Sequence, residues 1–239
     1  YYIDMLAGAS SLNQISLHTT AAPPQPLVEH FYYISDVAVL KDGSGLFFNG
    51  LKSIDDSSQL YFYNFSDGQY QVINHKLNED FHDNKVAVSA DSQLLAFVTV
   101  MGKLGEQQVS VKNRLTQQIM TRFHHDKAIF QLSWYDNNSL IILDEVGVHS
   151  IDLATRAKTQ LFENSKDKIR AIAMYADKKM LLLSEPAPAN FFSQIDLANF
   201  NVESQHILST DKRIQQMLYI DDEGSMLVYK IDDQANVIS

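Results

Sequence analysis

The sequence predicts an all-β protein, a β-propeller of about five four-stranded blades with six as the alternative, and three observations predict it. A short unit recurs five times, centred on Asp42, Asp91, Asp136, Asp177 and Asp222. In each copy an apolar run leads to the Asp, and a second apolar run starts four residues after it, at Leu46, Leu95, Leu140, Leu181 and Met226. The Asp-to-Asp steps are 49, 45, 41 and 45 residues, and a period of about 40 to 45 is the length of a four-stranded blade. A plain sandwich also strings short strands together, but it has no reason to repeat a unit at that longer period.

Each element of the unit has a local cause. Asp accepts hydrogen bonds from backbone N–H groups two or three residues on, which fixes a tight turn between two strands. Downstream, Ile151-Asp152-Leu153 and Ile195-Asp196-Leu197 are near copies, with Tyr63-Asn64-Phe65 and Val111-Lys112-Asn113 as looser ones. A polar hairpin and a further strand follow each, at 69–73, 117–121, 158–162 and 204–208. The blade therefore reads strand, Asp turn, strand, loop, Ile-Asp-Leu strand, hairpin, outer strand. A helix over 107–123, with Val111, Leu115 and Ile119 at helical spacing, conflicts with the repeat, which needs strands there. Only 9 Gly and 5 Pro serve all these turns, because Asp, Asn and Ser take the turn positions instead.

The ends are complementary. Ile3-Asp4-Met5 and 12–17 match the third and fourth strands of a blade, and 213–231 matches the first and second. A composite blade from both termini then closes the ring through inter-strand hydrogen bonds. Residues 236–239 compete as a third strand, which is the origin of the six-unit alternative. The expected organisation is one domain over 1–239. Residues 1–20 supply the outer strands of the closing blade, 33–76, 85–123, 128–164 and 168–209 are whole blades, and 213–239 supply the closing inner strands. The Pro cluster at 21–26 reads as a linker. The start at Tyr1, without Met or a signal pattern, reads as a segment of something longer, with any anchor upstream.

Composition narrows the function. With 45% hydrophobic residues in 239, the chain can bury a sizeable core. Its net charge of −10 argues against nucleic-acid contact by this segment. The absence of Cys excludes disulfides, thiolate metal sites and Cys nucleophiles. No apolar run is long enough to cross a membrane as a helix.

Ser89-Ala90-Asp91-Ser92-Gln93 with Leu95-Ala96-Phe97, and more distantly Asp42-Gly43-Ser44 and Asp136-Asn137-Asn138, resemble the TolB-like propeller repeat, Ser-Pro-Asp-Gly-Lys followed by Leu-Ala-Phe. The Pro is missing from every copy and the Gly from most, while the resemblance covers nearly the whole chain. Such repeats occur in TolB, in prolyl-oligopeptidase-type propellers and in extracytoplasmic parts of membrane-bound regulators of the CadC/ToxR kind. The resemblance implies a periplasmic sensor domain whose DNA-binding part and membrane helix lie outside this segment; a cytoplasmic location is the alternative.

Motifs for chemistry are sparse. Gly-x-Ser-x-Gly, His-Glu-x-x-His, phosphate-loop and EF-hand patterns are absent. We expect no catalytic residue, cofactor or metal ligand, and the repeated Asp residues 42, 91, 136, 177 and 222 are read as turn makers. The candidate binding face is Asp83, Lys85, His124, His125, Lys127, Lys168, Arg170, Lys212 and Arg213, where outer strands hand over to the next first strand. Its mixed charge suits a protein, a peptide or a small signal molecule. Phe31-Tyr32-Tyr33 and Phe191-Phe192 read chiefly as core, with interface anchoring as the other role. The expected function is non-enzymatic binding or sensing. The alternatives are a lactonase-like or peptidase-associated propeller and a TolB-like assembly scaffold.

Overall fold

Alternating apolar runs and Asp-capped turns fold the described residues almost wholly into strands and the turns between them. A computed structural model describes residues 2–6, 9–14, 25–73, 81–102, 105–164, 169–176, 179–184, 190–199, 201–208, 214–220, 226–231 and 234–238. The chain divides into two units, Tyr1–Asp126 and Lys127–Ser239.

In the first unit, β1 (Tyr2–Leu6), β2 (Ala9–Gln14) and β3 (Gln25–Phe31) form a three-stranded sheet. Blade 1 follows as β4 (Tyr33–Val39), β5 (Gly45–Leu51), β6 (Gln59–Asn64) and β7 (Gln69–Val72). Blade 2 comprises β8 (Phe81–Val88), β9 (Leu94–Met101), β10 (Glu106–Asn113) and β11 (Ile119–His125). Strands β10 and β11 occupy the stretch where a helix was the competing reading. Burial on both faces explains the continuous apolar second strands. Along β5, Leu46 and Phe48 pack with Leu12, Val28, Phe31 and Ile34, while Phe47 packs the other way with Leu60, Val86, Leu95 and Phe97.

The second unit holds blade 3, β12 (Ile129–Asp136), β13 (Ser139–Asp144), β14 (Gly147–Asp152) and β15 (Lys158–Glu163). Blade 4 is β16 (Ile169–Ala176), β17 (Lys179–Ser184), β18 (Asn190–Asp196) and β19 (Asn201–Leu208). A three-stranded sheet ends the unit: β20 (Ile214–Ile220), β21 (Met226–Ile231) and β22 (Gln234–Ile238). Ile141, Leu143 and Val148 of blade 3 pack with Ile169, Ile172, Met180, Leu182 and Ile195 of blade 4.

Strand pairing corrects the composite closing blade. Strand β2 pairs with β1 on one side and β3 on the other, and β21 pairs with β20 and β22. The described residues thus give four complete blades and, in each unit, a three-stranded sheet whose middle strand has both edges paired within that sheet. The reason lies partly in 25–31, whose start was read as linker. Val28 and Phe31 bury there against Leu12, and Pro26 is tolerated because β3 is an edge strand, pairing only with β2.

The turns are built by side-chain acceptors. Asp42 accepts from Ser44 N (2.9 Å) and Ser44 Oγ (2.6 Å), Asp91 from Gln93 N (3.0 Å) and Ser89 Oγ (2.6 Å), and Asp136 from Asn138 N (2.8 Å). Asp177 and Asp222 lie outside the described residues. A second turn recurs between third and fourth strands. Asn64, Asn113 and Asp152 accept N–H bonds from Ser66, Thr116 and Thr155 at 2.9, 2.9 and 2.7 Å. The carbonyl of the same residue accepts from Gly68, Gln117 and Arg156, which have φ of 67°, 62° and 61°. Asn113 is therefore the counterpart of Asn64, one residue later than the sequence alignment through Lys112 placed it.

Gly68 is the copy of this turn that uses the residue suited to positive φ. A Cβ there would meet only the Tyr63 hydroxyl, at 3.5 Å, so the cost of adding one is conformational. Gly68→Ala is expected to lower stability by about 1 kcal/mol, read as a lower urea midpoint at unchanged slope.

Candidate binding surface at the first strands

The first strand of each of the four blades, and β20 of the last three-stranded sheet, carries a bulge at the same place. The register skips between Ile34 and Asp36, Asp83 and Lys85, Ile129 and Gln131, Ile169 and Ala171, and Ile214 and Gln216. A bulge leaves one residue unpaired and re-aims the side chain that follows. In the first unit that side chain is Asp36: its Oδ2 accepts from Val86 N on the first strand of blade 2 at 3.0 Å, and its Oδ1 from Val37 N at 3.1 Å. The bulge residues also meet, with Ser35 Oγ donating to Asn84 O at 3.2 Å. In the second unit, at the equivalent place, Gln131 Oε1 accepts from Ile172 N at 2.6 Å. An otherwise open strand edge is thereby closed by the preceding blade.

Asp36 is held above the usual carboxylate range. Removal from water is the cause, opposed by the Lys85 ammonium and by the N–H groups of Val86 and Val37.

The sequence-predicted face is only partly a face. Asp83 is 1% exposed and acts as a brace. Its Oδ2 accepts from Leu60 N at 3.1 Å and its Oδ1 from Thr99 Oγ1 at 2.8 Å, while its own N–H bonds Ser58 O at 3.0 Å. It stands where the other three blades have Ile34, Ile129 and Ile169, and β20 has Ile214, an apolar position turned polar. Its placing on the binding face is therefore corrected: a carboxylate with these donors is not offered to solvent. Lys85 is half-buried beside Asp36. His124 is exposed and His125 buried, as adjacent residues of one strand must be. Their backbone partners across β10 are Gln108 and Gln107. In the second unit Lys127 is half-buried, and Arg170, the bulge residue of β16, is exposed. Lys168, Lys212 and Arg213 lie outside the described residues.

The sequence reading missed Asp36 and Gln131. Their signal was available: each lies two residues after the first-strand Ile, at Ile34-Ser-Asp36 and Ile129-Phe-Gln131. It also missed Asp144, fully buried at the end of β13. Asp144 Oδ1 accepts from Val146 N (2.8 Å), Gly147 N (3.0 Å) and His149 Nε2 (3.0 Å), and Lys158 Nζ lies 3.3 Å from Oδ2. The set ties together β13, β14 and β15. Gly147, at φ 152°, is required in that turn because a Cβ would sit 1.9 Å from Phe162 O.

Two measurements check the strand-edge bonds. Gln131→Ala leaves Ile172 N–H without its acceptor and is expected to cost about 1–3 kcal/mol of unfolding free energy. For Asp36, a carboxyl raised in the folded state favours folding while protonated and loses that contribution as pH rises above the ordinary value of 3.8. Asp36→Asn keeps an acceptor but cannot ionise. Its stability relative to wild type should therefore increase from pH 4 towards neutrality in urea titrations at stepped pH; an unchanged difference would contradict the upward shift.

No protein-family model and no curated protein sequence matches the chain. Among solved structures it is similar to TolB from Acinetobacter baumannii, at 16% identity and TM-score 0.68, covering 95% of this chain and 59% of that one. It is also similar to a structure from a study of two prolyl endopeptidases, at 10% identity and TM-score 0.62 over 97% of this chain and 38% of that one. A third is an oligogalacturonate lyase in complex with manganese, at 10% identity and TM-score 0.59, over 78% of this chain and 55% of that one. The chain thus spans about three fifths of the TolB chain or less of these structures. Likeness at such low identity concerns architecture alone: the chain has an all-β, TolB-like propeller fold.

Proposed function

We propose that this chain is a non-enzymatic binding and sensing propeller, the extracytoplasmic part of a membrane-bound transcriptional regulator, with a protein, a peptide or a small signal molecule as its ligand. The observation that carries the reading is the use made of polar groups on the first strands. Asp36, Asp83 and Gln131 accept backbone N–H groups from neighbouring blades, so these carboxylates and this amide hold blades in place. Catalytic carboxylates instead converge on a reacting bond or an ion. His124 in the first unit and Arg170 in the second are exposed, and they supply polar contact points for a ligand. The likeness to TolB supports an extracytoplasmic setting. The charge of −10 supports a reading without DNA contact by this segment.

Deleting this domain from the full-length protein, with membrane insertion retained, tests the proposal by transcript profiling. The expected outcome is a defined set of transcripts that loses its regulation. Unchanged transcripts would overturn it. So would one tightly held metal ion per purified chain accompanied by turnover on lactone, peptide or polysaccharide substrates.

A further inference from the structure

Lys52, in the turn after β5, places its ammonium against three aromatic rings at once. Nζ lies 5.2 Å from the ring centroid of Tyr70 and 5.9 Å from those of Phe31 and Tyr61. The three rings form a corner. Their centroids are 5.2 Å (Phe31–Tyr61), 5.6 Å (Phe31–Tyr70) and 5.8 Å (Tyr61–Tyr70) apart, with interplanar angles of 86°, 64° and 81°. Rings at steep mutual angles around one cation describe an aromatic cage, the arrangement that recognises alkylated ammonium groups.

The corner is built, not a chance contact of surface side chains. Phe48 supports it from beneath, stacked on Tyr61 at 5.1 Å and edge-on to Phe31 at 5.3 Å. Gly50 is required by it, since a Cβ there would lie 2.7 Å from the Phe31 ring. Phe31 and Tyr61 are buried as its walls, whereas Tyr70 is 39% exposed and Lys52 itself is exposed. An exposed lysine on a flexible stem can leave; the rings cannot. Asp56 adds negative charge: after burial and Tyr70, it is among the causes that push the Tyr61 phenol up to about 12. Of the aromatic run Phe31-Tyr32-Tyr33, only Phe31 is fully enclosed.

We propose that Phe31, Tyr61 and Tyr70 form a binding site for a quaternary ammonium group, and that Lys52 is its built-in plug, an intramolecular competitor for the same ring faces. The site uses none of the bulge residues of the first strands and stands whether or not the sensing reading holds.

Choline titrated into the 239-residue chain by calorimetry tests this, with its uncharged isostere, in which carbon replaces nitrogen, as the control. Lys52→Ala is expected to tighten choline binding about tenfold over wild type, and Lys52→Arg, which keeps a cationic plug, to leave it near the wild-type value. In the Lys52→Ala background, Tyr70→Leu should abolish the gain and Tyr70→Phe retain it. That comparison separates ring contact from the general pull of an acidic protein on cations. Unchanged circular dichroism and melting temperature confirm that each variant is folded. The proposal is overturned if Lys52→Ala binds no tighter than wild type, if the neutral isostere gains as much as choline, or if Tyr70→Leu keeps the gain. Phosphatidylcholine vesicles distinguish a lipid headgroup from a free ligand. Pelleting that depends on Tyr70 identifies the lipid, and choline binding without pelleting identifies the soluble compound.

Discussion

The bond from a bulged first strand to the next first strand is the constraint on which each unit depends. A first strand has a partner on one side only, so its other edge presents N–H groups that water or a neighbour must satisfy. Asp36 and Gln131 answer this in the same way in the two units, each reaching the strand after it. The bulge is what makes the reach possible, because the extra residue turns the following side chain towards the neighbouring blade. Apolar packing between blades is non-directional and tolerates sliding. A hydrogen bond of 2.6 to 3.0 Å fixes the register of one blade against the next.

This constraint also explains why conserving the fold leaves room for so little chemistry. Polar groups on a first strand are in demand for structure before any ligand arrives. Asp83 shows the same priority one step further on, where a carboxylate at an otherwise Ile position closes the N–H of Leu60 and the hydroxyl of Thr99. The bulge residues and those around them differ in exposure, from half-buried Ser35 and Asn84 to exposed Phe130 and Arg170. Variation for ligand recognition is therefore available at the bulge residue itself where it is exposed, as Phe130 and Arg170 are.

The repeat was legible in the sequence because turns leave a chemical mark. An Asp with an apolar run four residues later is a local pattern, and the bonds to Ser44, Gln93 and Asn138 are local too. Strand partnership at the termini was not legible in this way. Whether 12–14 pairs with 25–31 or with a distant strand depends on which ladder buries Leu12, and both choices satisfy alternation. The candidate face failed at Asp83 for a related reason: a charged residue between apolar ones reads as solvent-facing unless its donors, here from β6 and β9, can be foreseen. The hairpin at Asn113 was misaligned by one residue, because Val111-Lys112 mimics the apolar-polar step that Ile151-Asp152 makes.

Polar departures from the repeat gather where blade 1 meets blade 2. Asn49 is fully buried opposite Asp36 and Leu60 in register, where the matching positions of blades 2, 3 and 4 are Val98, Leu143 and Leu183. Asp36, Asp83 and Thr99 thus place three hydrogen-bonded side chains, and Asn49 a buried amide with no hydrogen-bond partner among the described residues, near a joint whose apolar part is Leu40, Phe47, Leu60, Val86 and Phe97. Between blades 3 and 4 the corresponding positions are Gln131, Leu143, Ile169 and Ser184, with Gln131 as the polar tie. Burying polar groups costs stability unless each finds a partner, but the partners must then be in one place. The first joint therefore gives up some of the adhesion that the second has and gains a more narrowly specified geometry. The aromatic corner of Phe31, Tyr61 and Tyr70 draws on the other face of blade 1, where Phe48 packs with Phe31 and Tyr61, so blade 1 carries a narrowly specified joint on one face and a preorganised ring cluster on the other.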